Sequence, residues 1–209
     1  MTIHFQILLT IASAWCLATN AQTEHINHKL TKATAHIQFE QKDTASWVDN
    51  FKQFRSAVFL KDKMKAKAFF DFPIKDSSNE IWYLVYGGNE KAINHLGSKI
   101  KPFTEADFDK YFDKIFSKEF IKALLKVKTE ELYKKGTFRT PESKDSATSY
   151  ILYSDFDKKE RILSLNFASN TAYKDDQGEP VDGGESNILY YFRITKNGHI
   201  ILTQIRLAG

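Results

Sequence analysis

Cysteine is almost absent from this sequence. Cys16 is the only one, and it lies in an apolar segment near the start of the chain. We expect that segment to be removed from the mature protein, which then has no thiol. Disulfide bonds, a cysteine nucleophile and a cysteine-ligated zinc ion are thereby excluded. A protein exported without disulfides must be stabilised by its hydrophobic core alone.

Proline and glycine are also scarce, at 4 and 9 of 209 residues, and 42% of the residues are hydrophobic. This composition excludes collagen-like and disordered chains. The formal net charge is only +4, from 30 basic and 26 acidic residues. Such a small excess does not indicate nucleic acid as a partner. The apolar run is shorter than the roughly 18–20 residues that cross a bilayer, so we predict no transmembrane segment.

Residues 1–21 have the pattern of a secretory signal peptide. An apolar core spans residues 5–18, and Thr19 and Ala21 stand three and one residues before the expected cleavage bond. Small residues at these two positions are what signal peptidase requires. We therefore predict cleavage after Ala21 and a secreted or periplasmic protein. A lipoprotein signal that uses Cys16 stays open, although the bulky aromatic residue before it does not fit that pattern.

The rest of the chain divides into an arm and one domain. Residues 22–45 contain few large apolar groups and show no periodicity, which predicts a polar arm or linker. Residues 46–209 have the length of a single domain.

Helical patterns fill the first half of this domain. Four residues stand where helix N-caps are expected: Ser46, Asp62, Thr104 and Ser117. Each precedes apolar residues at helical spacing, and Gly136 is the expected end of the last helix. Between these helices, residues 81–86 (IWYLVY) precede two glycines. This run of β-branched and aromatic residues predicts a lone strand.

Strand patterns fill the second half. Residues 148–156 and 161–169 are rich in β-branched and aromatic residues, and a polar turn joins them. Alternation divides the first of these strands between two faces. One side carries Tyr150, Leu152 and Ser154, and the sequence leaves open which side is inward.

The last two strands are joined by Asn197 and Gly198, which predict a type I′ turn. The pairs expected on one face are Ile194–Ile201, Phe192–Thr203, Tyr190–Ile205 and Ile188–Leu207. This face is apolar and is expected to lie against the helices. The opposite face, which carries Tyr191 and Arg193, is mixed and typical of a surface that meets solvent or a partner.

Helices followed by an antiparallel run of strands define the α+β class. The order resembles that of the NTF2-like and cystatin-like folds, in which N-terminal helices pack on a bent antiparallel sheet to form a cone. Residues 51–58 (FKQFRSAV) and the C-terminal IRLAG are also similar to a group of uncharacterised secreted bacterial proteins. These motifs consist of residues that pack in a core and include no catalytic signature. The resemblance therefore implies a fold more than a function.

Three residues are candidates for ligand binding: Trp82, His95 and Tyr190. The cone folds open their pocket near the end of the early strand, where Trp82 and His95 lie. Tyr190 is the inward residue with a polar tip. None of the six histidines has the spacing of a zinc site or of a catalytic triad, so we expect no metal and no cofactor.

One further segment is a weaker candidate site. The acidic segment from Asp175 to Glu185 has the composition of a calcium loop without its spacing, and it is expected to be a solvated loop. His199 follows the last turn and is expected to be exposed.

These observations favour a secreted or periplasmic, non-catalytic module that binds a small molecule or a protein partner. Two alternatives stay open. One is an NTF2-like enzyme with a small pocket, which needs a polar partner for His95 or Tyr190. The other is a structural envelope protein that forms a homodimer through the outer face of its sheet.

Overall fold

Seven helices precede six strands in the part of the chain that the structure describes. The structure is a computed structural model that describes residues 46–97 and 99–209, which fall in one compact unit, Thr44–Gly209. The predicted signal peptide and polar arm, residues 1–45, lie outside the described residues. None of the described helices is long and apolar enough to cross a membrane.

The helices begin and end largely where the sequence predicts. They are α1 (Ser46–Phe59), α2 (Lys63–Lys67), α3 (Glu80–Tyr86), α4 (Glu90–Asn94), α5 (Glu105–Ile115), α6 (Lys118–Leu124) and α7 (Thr129–Lys135). Asp62, Thr104 and Ser117 each accept a backbone N–H from three residues ahead, which confirms them as N-caps. Gly136 is left-handed and ends α7, as predicted.

The predicted strand at residues 81–86 is wrong, because this segment is helix α3. Ile81, Trp82 and Val85 are buried, and their spacing places them on one side of a helix. Gly87 then ends the helix in the left-handed conformation, at φ +50°. Burial of this one side by the neighbouring helices outweighs the strand preference of the individual residues.

The strands form one antiparallel sheet. They are β1 (Thr137–Arg139), β2 (Ser143–Asp145), β3 (Thr148–Asp157), β4 (Ile162–Lys174), β5 (Pro180–Ile194) and β6 (Ile200–Ala208). Their order is β1-β3-β4-β5-β6, and β2 also pairs with β3. The structure thus confirms the α+β class, and its order of elements is consistent with the predicted NTF2-like arrangement. The sequence missed β1 and β2, which at three residues each are too short to show alternation.

The acidic segment after β4 is a turn over residues 175–179, but from Pro180 onward it belongs to β5, contrary to the predicted loop. β4 continues to Lys174 and β5 already begins at Pro180, so only a short turn separates them. Within the turn, the Asp175 carboxylate accepts the backbone N–H groups of Gln177 and Glu179, each at 2.9 Å.

The hairpin between β5 and β6 has a three-residue turn instead of the predicted type I′ turn. The Thr195 N–H donates to His199 O at 2.8 Å, and Gly198 has a positive φ while Asn197 does not. The pairs closest to the turn are therefore shifted by one residue, and Phe192 lies opposite Leu202 instead of Thr203.

A bulge at Thr203 restores the predicted register farther from the turn. The pairing shifts between Phe192 and Tyr191, so that Tyr190 lies opposite Ile205 as expected. The apolar alternation of β6 requires this correction, because a one-residue slip would turn Ile205 toward solvent.

The helices and the inner face of the sheet enclose an aromatic core. On β3 the inward residues are Tyr150, Leu152 and Ser154, all buried, which settles the question that the sequence left open. Phe54 on α1 and Phe192 on β5 meet at 5.0 Å between ring centroids. Rings from α5, α6 and the sheet continue the same packing, so the space between helices and sheet is filled by side chains.

Candidate binding surfaces

Trp82 is fully buried and fixes the segment that follows α4. Its indole N–H donates to Lys101 O at 2.7 Å, and its ring meets Phe103 at 5.3 Å. The Lys101 ammonium lies 3.7 Å from the centre of the indole ring, a cation–π contact. Both the face of the Trp82 ring and its N–H group therefore contact other groups of the protein.

His95 lies at the exposed C-terminal end of α4. Its Nδ1 is 2.6 Å from Lys91 O in the preceding turn. Together with Tyr86 and Lys101, His95 lines a shallow cavity of about 350 Å³. Lys101 thus contacts Trp82 and lines the same cavity as His95.

Tyr190 points into the core, as predicted, but lies away from the other two residues. Its hydroxyl donates to Ile115 O at 2.6 Å, and its ring packs 4.5 Å from Phe120. Burial raises the pKa of the Tyr190 phenol well above its ordinary value, so the hydroxyl keeps its proton. The structure does not bring Tyr190 into the His95 cavity, and ligand binding by the three residues stays a prediction.

We expect Tyr190→Phe to lower the free energy of unfolding by about 1–2 kcal/mol, because it removes a buried hydrogen bond and keeps the ring. Tyr191→Phe is the matched control, since Tyr191 lies on the opposite face of the same strand, and its effect should stay within about 0.5 kcal/mol. Urea unfolding followed by circular dichroism measures both. Equal effects would contradict the interior position of the Tyr190 hydroxyl.

His199 is half-buried, so the prediction that it is exposed is wrong. Its Nδ1 lies 2.9 Å from Asn50 Oδ1 and its Nε2 lies 2.9 Å from Ala68 O. The ring also stacks on Phe69 at 5.5 Å. The last turn folds back against α1 and the end of α2, and the sequence gives no sign of this contact. His199 borders an open groove of about 630 Å³ beside α1.

No calcium site was expected in the acidic segment of residues 175–185, and the structure describes only some of the side chains of this segment. Among the described residues, no group of three or more histidine, cysteine or acidic side chains is placed to hold a metal ion.

The outer sheet face carries a set of apolar side chains that do not pack against the core. They are Ile151, Tyr153, Ile162, Ala168, Leu189, Tyr191 and Ile201. Tyr153 and Ile162 are 36% and 38% exposed. These side chains are on the face opposite the inward residues of the same strands, because successive side chains alternate.

Charged side chains of opposite sign lie beside and within this apolar strip, and Arg193 stands between Ile162 and Ile201. Asp155 and Asp157 lie on β3 at one side, and Arg193 and Arg206 lie on β5 and β6 at the other. All four side chains are exposed. The mixed outer face predicted from alternation is thus confirmed. Its acidic side chains lie on β3, whereas basic side chains lie on β5, on β6 and also on the edge strand β1, where the Arg139 guanidinium lies 5.5 Å from the centre of the Tyr153 ring.

Comparisons with known proteins add little. No protein-family model matches the sequence, and no curated protein matches it. The chain is similar to the solved structure of a putative ketosteroid isomerase from Shewanella frigidimarina NCIMB 400, with 12% identity over 80% of this chain and 98% of that chain. The TM-score is 0.28. A similarity at this level carries no argument about fold or function, so the α+β assignment rests on the topology described above.

Proposed function

We propose that this protein is a non-catalytic module that acts outside the cytoplasm and binds a protein partner through the outer sheet face. The apolar core at residues 5–18 and the small residues at Thr19 and Ala21 support export. The Tyr190 hydroxyl, a candidate polar group for chemistry, is bonded to Ile115 O. Aromatic side chains fill the space between the helices and the sheet, which supports a packed core there and not a catalytic pocket.

The observation that carries the proposal is the apolar strip on the outer sheet face. An antiparallel sheet with one face on the core normally exposes polar residues on the other. Here large apolar side chains, among them Ile162 and Leu189, stand on the central strands beside the polar Ser164 and Asn166. Apolar groups gathered in one patch with a charged rim are typical of protein–protein interfaces.

The charges favour a second copy of this chain as the partner. In a face-to-face pair related by a two-fold axis along the strands, β3 of one copy lies over β5 and β6 of the other. Asp155 then lies near Arg193 of the other copy, whereas Arg206 is already 3.6 Å from Glu80 of its own chain. An axis across the strands would instead place β3 on β3 and bring like charges together, which is unfavourable.

The proposal is tested by sedimentation equilibrium of the wild-type protein and of Tyr191→Asp, which puts a charge in the middle of the strip. Met64→Asp is the matched control, because Met64 is 84% exposed on α2, outside the sheet. We expect a dimer for the wild type and for M64D, and an association at least about tenfold weaker for Y191D. A wild-type monomer throughout, or equal weakening by both variants, would overturn the proposal.

A further inference from the structure

A second, separate site lies among the helices, where α1 faces the start of α7. The cavity there has a volume of about 540 Å³ and is lined by five cationic side chains and two carboxylates. The cationic residues are Lys52, Arg55, Lys128, Lys134 and Lys135. A cavity of this size accommodates a small organic molecule.

Both carboxylates of the cavity are already paired. Glu130 binds Lys52 at 2.5 Å, and Glu131 binds Lys135 at 2.6 Å. The hydrogen bond from Lys52 holds the pKa of Glu130 below its ordinary value, so this pair stays charged near neutral pH. The other three cations, Arg55, Lys128 and Lys134, form no ion pair within the described stretches of the chain.

Arg55 is the most constrained of these cations. Its Nη1 donates to Val127 O at 2.6 Å and to the Thr129 hydroxyl at 3.2 Å, which holds the guanidinium in place against the turn before α7. Its Nε is buried and has no hydrogen-bond partner among the described residues. Both hydrogen-bond partners of this half-buried guanidinium are neutral, and the nearby Glu130 carboxylate, which is already paired with Lys52, is the negative charge that acts on it. The protein therefore compensates the positive charge of Arg55 only in part.

We infer that this cavity binds a small organic anion through a carboxylate or phosphate group. The guanidinium of Arg55 is a fixed positive charge at the wall of the cavity, and carboxylate and phosphate are the anionic groups that form strong charge-assisted hydrogen bonds with such a cation. Lys128 and Lys134, both exposed, add two further cations to the lining of the same cavity. The site is distinct from the outer sheet face, so it does not depend on the proposed function.

Isothermal titration calorimetry at low ionic strength, with inorganic phosphate and with succinate as probes, tests the inference. We expect saturable binding of at least one probe, and the tighter one identifies the headgroup. The double variant K128A/K134A should weaken binding about tenfold, because it removes two cations near the ligand. The control K144A/K196A removes the same charge from exposed positions outside the cavity and should leave binding unchanged.

Arg55→Met adds a sharper test, since it removes the guanidinium and keeps an apolar stem. If the variant folds, as judged by circular dichroism, it should show no saturable binding. If it does not fold, K128A/K134A with its control decides. Absence of saturable binding to both probes, or equal weakening by the two double variants, would overturn the inference.

Discussion

Phe54→Ala should lower the free energy of unfolding by about 3–5 kcal/mol, the range for deleting a buried phenyl ring. Phe54 is fully buried on α1. Its ring lies 5.0 Å from Phe192 on the sheet, 5.5 Å from Phe69 and 5.8 Å from Phe116. The substitution therefore opens a cavity where helices and sheet meet, and the surrounding rings are too rigid to fill it.

Phe59→Ala is the matched control, because Phe59 lies on the same helix and is 55% exposed. Its effect should stay within about 1 kcal/mol. Urea unfolding of both variants gives the comparison. A change of less than about 1 kcal/mol for Phe54→Ala would show that the apolar side of α1 is not the centre of the core.

Trp82→Ala should have an effect of the same size, about 3–5 kcal/mol. The substitution removes a fully buried indole and leaves Lys101 O without the N–H that it accepts. It also removes the ring on which the Lys101 ammonium rests. The segment between α4 and α5 is held by these contacts, so we expect it to loosen as well.

Tyr83→Ala is the control, and it also distinguishes a helix from a strand at this position. Tyr83 is 36% exposed in α3, and its removal should cost much less than that of Trp82. In a strand, Tyr83 would share a face with Ile81 and Val85, and its removal would then be the costlier one. Chemical denaturation of both variants is the measurement, and a larger loss for Tyr83→Ala would contradict the helix.

The helix caps show what the sequence predicts well. The side chains of Asp62, Thr104 and Ser117 each bond to a backbone N–H three residues ahead, which is a local interaction that neighbouring residues determine. Residues 81–86 show the limit of such local reasoning. Their composition favours a strand, but contacts of Trp82 with residues far ahead in the chain stabilise a helix.

The hairpin between β5 and β6 shows two errors that cancel. The turn holds one residue more than a type I′ turn, and the bulge at Thr203 adds one residue to the opposite strand. The predicted pairing of Tyr190 with Ile205 is therefore confirmed, whereas that of Phe192 with Thr203 is wrong. Burial of one face determines the register over the whole strand. The turn type depends instead on the backbone angles of the turn residues, and the identity of Asn197 does not determine whether its φ is positive.

The candidate sites were harder to predict than the fold. Alternation along β5 was enough to separate the inward Tyr190 from the outward Tyr191 and Arg193. The distribution of charge on the outer face depends on which strands are neighbours, and the sequence does not show that Asp155 and Arg193 share a face with one apolar strip. The same holds for the cavity at Arg55, whose partners lie more than 70 residues away in the chain.

The central claim is that two copies associate through their outer sheet faces, with acidic and basic sides in contact. Sedimentation equilibrium of Asp155→Arg, Arg193→Glu and the double variant tests it most directly. Each single reversal places like charges opposite each other and should weaken the dimer at least about tenfold, whereas the double variant exchanges the two signs and should restore it. A double variant as weak as the single variants, or a wild-type protein that stays monomeric, would contradict the account.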